Sequence, residues 1–439
     1  MSRRDEIMRS FDANAAYTEE RVNSGINLNR KGTARIKVTD KDKNPVSGAK
    51  ITAVLKKHEF KYGANIFMLD GLETDEKNEK YKKYFSEAFN MATLPFYWSD
   101  LEPERGKTRY EKDSPYIYRR PAPDSCIEFC EKHGIEPREH ALAYENFFPG
   151  WLENKDVYTV KKELSRRFSE ISERYAGKIP TIEVTNEMFW GKGKTFFYED
   201  PEYVEWCFKE AEKYFPANEL VINEWSGIWN ESGRNRDWYY MQIERALGKG
   251  ARINAVGMQF HMFYKKENEE RETRSFYNPR HLYKIMDRYS EFNLPLQITE
   301  VTIPAYSQEA EDEQLQAELI EKLYSIWFSH PNVEQIIYWN LVDGYAAFAP
   351  QGDMTSGENY YYGGLLRFDM TPKPAYYTVK KLFEEKWHTE ETFETNADGE
   401  AEFNGFFGEY DIEIDFGGSK TWRHISLMKK GYRDFTLEI

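Results

Sequence analysis

The sequence has 439 residues, enough for two or three domains or for one large barrel with an accessory module. Its hydrophobic content of 40% is sufficient for a large core, and its formal net charge is -15, with 75 acidic against 60 basic residues. Nucleic acids and anionic membranes repel a chain of this charge, so we expect neither as a partner. A neutral substrate fits the charge better.

The cysteines bear on metal binding, and the N-terminal segment bears on targeting. Cys126, Cys130 and Cys207 belong to no Cys/His cluster with zinc-ligand spacing, so we expect reduced thiols, no metal and no organic cofactor. The N-terminal segment has no apolar run typical of a signal peptide, and no apolar stretch of about 18 residues occurs elsewhere. We therefore expect the chain as given to be cytoplasmic, or secreted if a leader was removed.

Short β-like runs alternate with helical patterns of apolar residues between residues 60 and 387. One such helical stripe runs from Val160 to Tyr175. Eight β-like runs are found: 63–69, 91–98, 137–144, 181–187, 220–225, 253–262, 296–302 and 334–341. Eight strand–helix alternations favour an α/β fold in which parallel strands close into a (β/α)8 TIM barrel. A doubly wound open sheet is the alternative.

The two ends of the chain have different patterns. Residues 1–30 are expected to form a helical lead-in, whereas residues 31–59 alternate with a period of two and contain turn signals. Residues 388–439 lack a helical period and contain several glycine turns. Neither end has enough strands to bury a core alone. We therefore expect the two ends to pair into one small accessory β-sandwich, with the barrel of residues 60–387 inserted between them. Two separate extensions are the alternative.

Polar residues at the ends of the barrel strands indicate the chemistry. Glu187 closes the fourth predicted strand and Glu300 the seventh, and both follow apolar runs in which a carboxylate is costly to bury unless it is used. Gln259 and His261 close the strand between them. In a (β/α)8 barrel these strand ends face the active site, and the fourth and seventh strands lie nearly opposite each other. Two opposed carboxylates are typical of glycoside hydrolysis.

The barrel segment resembles glycoside hydrolase family 10, whose typical activity is endo-1,4-β-xylanase. EVTNEM resembles the acid/base segment of that family and ITEVTI its nucleophile segment. The resemblance implies that Glu187 is the general acid/base, that Glu300 is the nucleophile, and that Asn186 contacts a sugar 2-hydroxyl. VGMQFHM resembles the Gly-x-Gln-x-His-Leu strand, which implies that Gln259 supports the acid/base and that His261 bonds the nucleophile.

Further segments extend the resemblance. REHALAYENFFPGWL implies that His140 contacts the sugar bound at the cleaved position, and IIYWNLVD implies that Trp339 forms the floor under that sugar. GGLLRFDMTPKPAYYTVKKL resembles the closing stretch of the family. The terminal segments resemble a split carboxypeptidase-regulatory-like or transthyretin-like sandwich, on VTDKDKNPVSGA and TNADGEAEFNGFFGEYDI. We expect a packing role for that sandwich.

The chain departs from the family pattern beside these residues. TLPFYWSDLEPERG is two residues shorter than the usual segment after strand two, and it lacks the Glu-Asn and the Lys that grip the next xylose. Tyr144 and Glu145 replace the usual Trp-His after strand three, and we expect both to contact substrate. Thr302 replaces the Asp of the usual Thr-Glu-Leu-Asp, and GYAAF occupies the place of a second Trp after strand eight.

The sequence therefore predicts a retaining hydrolase that cleaves β-1,4-linked xylan or xylo-oligosaccharides by double displacement. The rebuilt neighbouring segments leave open an exo-acting or differently specific β-glycosidase. A carbohydrate-binding protein that has lost turnover is the alternative from another class, but binding alone does not need two opposed carboxylates.

Overall fold

The computed structural model describes residues 2–189, 193–230 and 237–439. The chain divides into two compact units. The first comprises the residues up to Ala15 together with Tyr62–Tyr324 and Asn332–Tyr376, and the second comprises Ala16–Lys61, Ser325–Pro331 and Tyr377–Ile439. Within the described ranges, no helix has the length and apolar character that crossing a bilayer requires.

The strands of the described residues are numbered in chain order. They are β1 (Lys31–Thr39), β2 (Lys50–His58), β3 (Lys61–Asn65), β4 (Met91–Pro95), β5 (Glu136–His140), β6 (Thr181–Asn186), β7 (Glu219–Glu224), β8 (Ala255–His261), β9 (Leu296–Thr302), β10 (Val333–Tyr338), β11 (Glu390–Glu394), β12 (Glu400–Phe406), β13 (Gly408–Phe416), β14 (Ser419–Leu427) and β15 (Asp434–Glu438).

The helices of the described residues are numbered in the same way. They are α1 (Arg3–Ile7), α2 (Arg9–Ala13), α3 (Ala15–Asn29), α4 (Asp75–Ala88), α5 (Trp98–Leu101), α6 (Pro123–His133), α7 (Val157–Tyr175), α8 (Tyr203–Tyr214), α9 (Trp238–Gly248), α10 (Glu269–Thr273), α11 (Pro279–Tyr289), α12 (Ala310–Ser329) and α13 (Pro374–Lys381). Short 3-10 turns occur between them, one of which is Gly357–Tyr361.

Strands β3 to β10 form a closed barrel, in the order β3-β4-β5-β6-β7-β8-β9-β10 with β10 returning to β3. The predicted α/β barrel is therefore confirmed, and the open doubly wound sheet is excluded. The predicted seventh run, 296–302, coincides with β9. Several other predicted runs extend past the carboxyl end of their strand, because apolar residues continue into the loops of the barrel mouth. Trp339, for example, lies just beyond β10 and is buried.

Helix α7 shows how the sequence pattern produces the outer helices. Its side chains Val160, Leu164, Phe168 and Ile171 are fully buried along one face, as the spacing predicts. Asp156 caps the first turn of this helix by accepting from the amide of Thr159. The apolar stripe therefore fixes which face of the helix is turned to the protein interior.

The second unit contains two sheets built from both ends of the chain. β1 lies between β12 and β15, and β2 lies between β11 and β13, with β14 at the far side of β13. Alternate residues of β13 (Tyr410, Ile412 and Ile414) are buried, and Phe403 of β12 packs 5.2 Å from the ring of Tyr410. The prediction that the two ends of the chain combine is therefore confirmed.

A buried ion pair closes the barrel segment within the first unit. Lys373, directly before α13, lies 2.6 Å from Asp343, which follows β10, and neither side chain is exposed. Lys373 also donates to the carbonyl of Tyr362 at 2.8 Å, and Asp343 accepts from the amide of Gly364 at 2.7 Å. Each charge has a partner, so the pair is tolerated where a single buried charge is not.

We predict that Lys373→Met lowers the free energy of unfolding by about 3–5 kcal/mol, because it leaves the Asp343 carboxylate buried without its cation. The measurement is urea unfolding followed by circular dichroism. The matched control is Lys107→Met, since the Lys107 side chain is 73% exposed and pairs with Glu104 at the surface. Equal stability of the two variants would contradict the importance of the buried pair.

Candidate active site

The predicted site residues lie at the carboxyl ends of neighbouring barrel strands. β5 ends at His140, β6 at Asn186, β8 at His261, and β9 carries Glu300 two residues before its end. Because parallel strands of a barrel point the same way, their carboxyl ends meet at one mouth. The barrel therefore brings the predicted residues together.

Glu300 lies almost completely buried on β9. Its Oε1 accepts from Asn223 Nδ2 at 3.1 Å, and its Oε2 lies 3.1 Å from His261 Nε2. Burial raises the pKa of the Glu300 carboxyl well above its ordinary value, and the negative charges of Glu183 and Glu187 act in the same direction, whereas the charge of His140 lowers it. The carboxyl is therefore held in one orientation by two side chains on neighbouring strands.

A buried group of charges supports Glu300 from the side of β5 and β6. Glu183 accepts from Arg138 at 2.5 Å and lies 2.9 Å from His140 Nδ1, and all three side chains are at most 1% exposed. Burial lowers the pKa of His140, but the charge and hydrogen bond of Glu183 together with the charge of Glu300 outweigh it and raise that pKa above its ordinary value. The two positive groups outnumber Glu183, so they attract the negative form of Glu300.

Glu187 lies just past the end of β6 and is only partly buried. Its Oε1 accepts from Gln259 Nε2 at 3.1 Å, and its Oε2 accepts from the hydroxyl of Tyr144. Its backbone has a φ of 55°, a left-handed conformation that is uncommon for a residue other than glycine. The adjacent amide of Met188 donates to the buried carboxyl of Glu224 at 2.8 Å, which anchors this turn.

A chain of side-chain amides connects the two carboxylates. Gln259 Nε2 donates to Glu187 and, at 3.1 Å, to Asn186 Oδ1. Asn223 Nδ2 lies 3.0 Å from the same Asn186 oxygen and 3.1 Å from Glu300. The orientation of either carboxylate is therefore coupled to that of the other through three amides that are at most 2% exposed.

Aromatic side chains form one wall of the barrel mouth. Trp339 is 5% exposed, and its ring makes edge contacts with Phe67 at 5.1 Å and with His140 at 5.4 Å. Tyr97 packs 5.8 Å from Phe67, and its hydroxyl lies 3.1 Å from His140 Nε2. Tyr144 packs against Tyr97 at 6.1 Å. The predicted sugar contacts of His140, Trp339 and Tyr144 stay predictions.

Several residues of this network were not predicted from the sequence. Arg138 and Glu183 lie in the middle of buried strands, and a charged residue within an apolar run such as TIEV is a signal that could have identified Glu183. Asn223 and Glu224 are polar residues at the end of β7, but the sequence alone gives them no specific role. The hydroxyl contact between Tyr97 and His140 had no signal in the sequence.

Within the described ranges, His140, Glu183 and Glu300 form the group whose ligand atoms lie close enough to hold a metal ion, within 4.8 Å of one another. All three already have partners, since Glu183 pairs with both Arg138 and His140, and Glu300 bonds Asn223. A cation here would also lie beside the Arg138 guanidinium, which repels it. The contacts therefore favour a network of charges and hydrogen bonds over a metal centre.

Glu145, predicted to contact substrate, is 2% exposed and accepts from the amide of Thr195 at 2.6 Å. Its contact with a sugar stays a prediction. Burial raises the pKa of this carboxyl from 4.5 to about 7, although its hydrogen bonds with Thr195 oppose the shift. The folded protein therefore binds this proton more tightly than the unfolded chain does.

We predict that this difference in proton binding between the folded and unfolded chain makes the free energy of unfolding depend on pH. The tighter binding of the Glu145 proton adds about 3 kcal/mol to the free energy of unfolding. This stabilisation is fully present below pH 4.5 and is lost as the pH rises through about 7. Glu145→Gln has no proton to lose, so it should gain stability relative to the wild type at about pH 8.5 but not at about pH 4.5. Urea unfolding at both values measures this. The exposed Glu153→Gln is the control, and an equal response of both variants would contradict the prediction.

The comparisons with known proteins agree with this geometry. The family model described as Glycosyl hydrolase family 10 matches residues 53–382, which is more than half of the chain. Endo-1,4-beta-xylanase B of Thermotoga neapolitana is 27% identical over 323 residues, covering 70% of this chain and 84% of the relative. Anti-sigma-I factor RsgI6 of Acetivibrio thermocellus is 26% identical over 422 residues, covering 94% of this chain. This chain spans about half of that protein, 48% of its length.

Solved structures show the same fold. The crystal structure of native xylanase 10B from Thermotoga maritima aligns with a TM-score of 0.59 at 23% identity, covering 75% of this chain and 96% of that one. The barrel, the site at its mouth and the match over residues 53–382 therefore agree, and the chain belongs to glycosyl hydrolase family 10.

Proposed function

We propose that this chain is a retaining glycoside hydrolase that cleaves β-1,4-linked xylan or xylo-oligosaccharides, with Glu300 as nucleophile and Glu187 as general acid/base. The observation that carries the proposal is the pair of carboxylates joined by the Gln259–Asn186–Asn223 amides across the barrel mouth. The names of relatives such as the Thermotoga neapolitana xylanase support the choice of substrate.

In the first step an oxygen of Glu300 attacks the anomeric carbon, the glycosidic bond breaks, and Glu187 gives its proton to the leaving oxygen. Attack requires the ionised form of Glu300. Because burial raises the pKa of this carboxyl, the reactive fraction increases as the pH rises through that pKa. The positive charges of His140 and Arg138 oppose the effect of burial and favour the reactive form.

In the second step Glu187, now ionised, removes a proton from water, and the water oxygen attacks the anomeric carbon and releases Glu300. The same carboxyl therefore acts first as an acid and then as a base. The hydroxyl of Tyr144 and the amide of Gln259 hold its two oxygens, so that its position is kept while its charge changes. Two inversions at one carbon return the β configuration.

A neutral xylose ring suits the wall at this mouth. Trp339 offers an apolar ring beside His140 and His261, at 5.4 Å and 5.9 Å between ring centres. Tyr97 lies in the shortened segment after β4, where the family usually has residues that grip the neighbouring xylose. Its hydroxyl bonds His140, so this part of the site is built differently and favours a second candidate, a β-glycosidase of different chain-length preference.

We predict that Glu300→Gln abolishes cleavage of xylohexaose, with kcat/KM falling by at least about 10⁴-fold, because no nucleophile remains. Glu187→Gln should lower kcat/KM by about 10²–10⁴-fold, the usual contribution of a general acid. Proton NMR during digestion should show β-anomeric products first from the wild type. The exposed Glu391→Gln is the control with unchanged activity.

Three outcomes would contradict parts of this proposal. Equal cleavage by Glu300→Gln and the wild type would exclude Glu300 as nucleophile. Early α-anomeric products would exclude retention. If the wild type cleaves aryl β-glycosides but leaves xylohexaose intact, xylan is excluded as the substrate and the second candidate is favoured.

A further inference from the structure

His261 lies between two oxygen groups of the neighbouring strand. The pairing of β8 with β9 places Thr302 opposite His261 and Glu300 opposite Gln259. Nδ1 of the His261 ring is 2.9 Å from the Thr302 hydroxyl, and Nε2 is 3.1 Å from Glu300 Oε2. Thr302 is 2% exposed, so its hydroxyl is largely shielded from water. Both nitrogens of the ring are therefore within hydrogen-bond distance of an oxygen.

The chemistry of these partners decides where the ring carries its proton. An ionised Glu300 only accepts hydrogen bonds, so Nε2 must carry a hydrogen to bond it. A neutral ring has one N–H, which leaves Nδ1 as an acceptor. The Thr302 hydroxyl can donate to Nδ1, whereas the aspartate that the family usually has at this position, once ionised, cannot. An aspartate there would instead favour hydrogens on both nitrogens and a charged ring.

The surroundings of His261 favour the neutral ring. Burial lowers its pKa from 6.5 to about 4. Phe263 stacks on the ring at 4.6 Å, and Trp339 meets it edge-on at 5.9 Å. The charged groups that face it are Glu300 from β9, Glu187 from β6, His140 from β5 and Glu358 from the Gly357–Tyr361 turn. The charges of Glu358 and Glu187 raise the pKa of the ring and that of His140 lowers it, but burial has the largest effect and keeps the pKa low.

We propose that Thr302 is a positioning residue that supports a neutral His261 by donating to Nδ1, so that the single N–H of the ring, on Nε2, is directed at the nucleophile. The role of Glu300 rests on the proposed function. Glu300 loses its negative charge when it bonds the anomeric carbon. A neutral donor loses less attraction in that step than an imidazolium does, and it still keeps the carboxyl in position.

The test is nitrogen-15 NMR of the histidine rings in the full chain, which has eight histidines. His261→Gln identifies the His261 signals by their absence. The wild type should show Nδ1 without and Nε2 with a hydrogen at pH values above the pKa of Glu300, where that carboxyl is ionised. Thr302→Ser keeps a hydroxyl and should retain this tautomer and the activity to within about 2-fold.

Two further variants distinguish the effect of the Thr302 hydroxyl from the effect of the shape of its side chain. Thr302→Val has nearly the same shape but no hydroxyl. The Nδ1 lone pair then loses its hydrogen-bond donor, so the nitrogen-15 signal of Nδ1 should shift and kcat should fall by roughly 10-fold with little change in KM. Thr302→Asp should raise the pKa of His261 from about 4 toward the ordinary 6.5 or above and add an ionisation to the pH profile.

A hydrogen on Nδ1 of the wild-type ring, or a Thr302→Val variant whose Nδ1 signal or kcat equals that of the wild type, would overturn the inference. So would a Thr302→Ser variant that folds but loses the tautomer. The NMR measurement needs no turnover. A wild type with the expected tautomer that cleaves no β-glycoside would therefore contradict the proposed function alone, whereas a wild type that cleaves xylohexaose with the wrong tautomer would contradict this inference alone.

Discussion

The placement of two carboxyl groups, one of them almost completely buried, at the mouth of one barrel is the constraint on which the site depends. A carboxylate without partners is costly in such a place, and here the side-chain amides of Gln259 and Asn223 each donate to one of the two, while both also donate to the Asn186 oxygen between them. Even the glycine of the sixth barrel strand serves this network, since a Cβ at Gly257 would lie 2.4 Å from the Asn223 side-chain oxygen. The orientation of the two acids is thus set mainly by strand residues, with Tyr144 from the loop after β5 holding one oxygen of Glu187.

The charges around this network divide into two functions. Arg138, Glu183 and His140 form a buried group with an excess of positive charge, which favours an ionised Glu300. On the other side of the nucleophile, Thr302 and a neutral His261 orient the carboxyl without adding charge. The first group therefore opposes the rise in the Glu300 pKa that burial causes, and the second helps to hold the carboxyl in position.

The barrel and its strand ends could be predicted from the sequence because alternation of strands and helices leaves a strong apolar period, as in α7 and β9. Glu187 and Glu300 stood out as carboxylates directly after apolar runs. The contact of Tyr97 with His140 and the burial of Glu145 against Thr195 could not be predicted, because they depend on how loops from different strands meet. Side-chain direction within a loop has no periodicity from which to infer it.

The most direct test of the nucleophile assignment is to identify the residue that becomes covalently bonded to the sugar. The wild type would be incubated with a 2-deoxy-2-fluoro-β-xylobioside that has a good leaving group. The fluorine slows both steps, whereas the good leaving group keeps the first step fast enough for the glycosyl-enzyme to accumulate. Mass spectrometry of the digested protein should locate one fluoroxylobiosyl group on Glu300. An adduct on another carboxyl such as Glu187 or Glu224, or steady turnover of the reagent with no adduct, would contradict the assignment of the nucleophile.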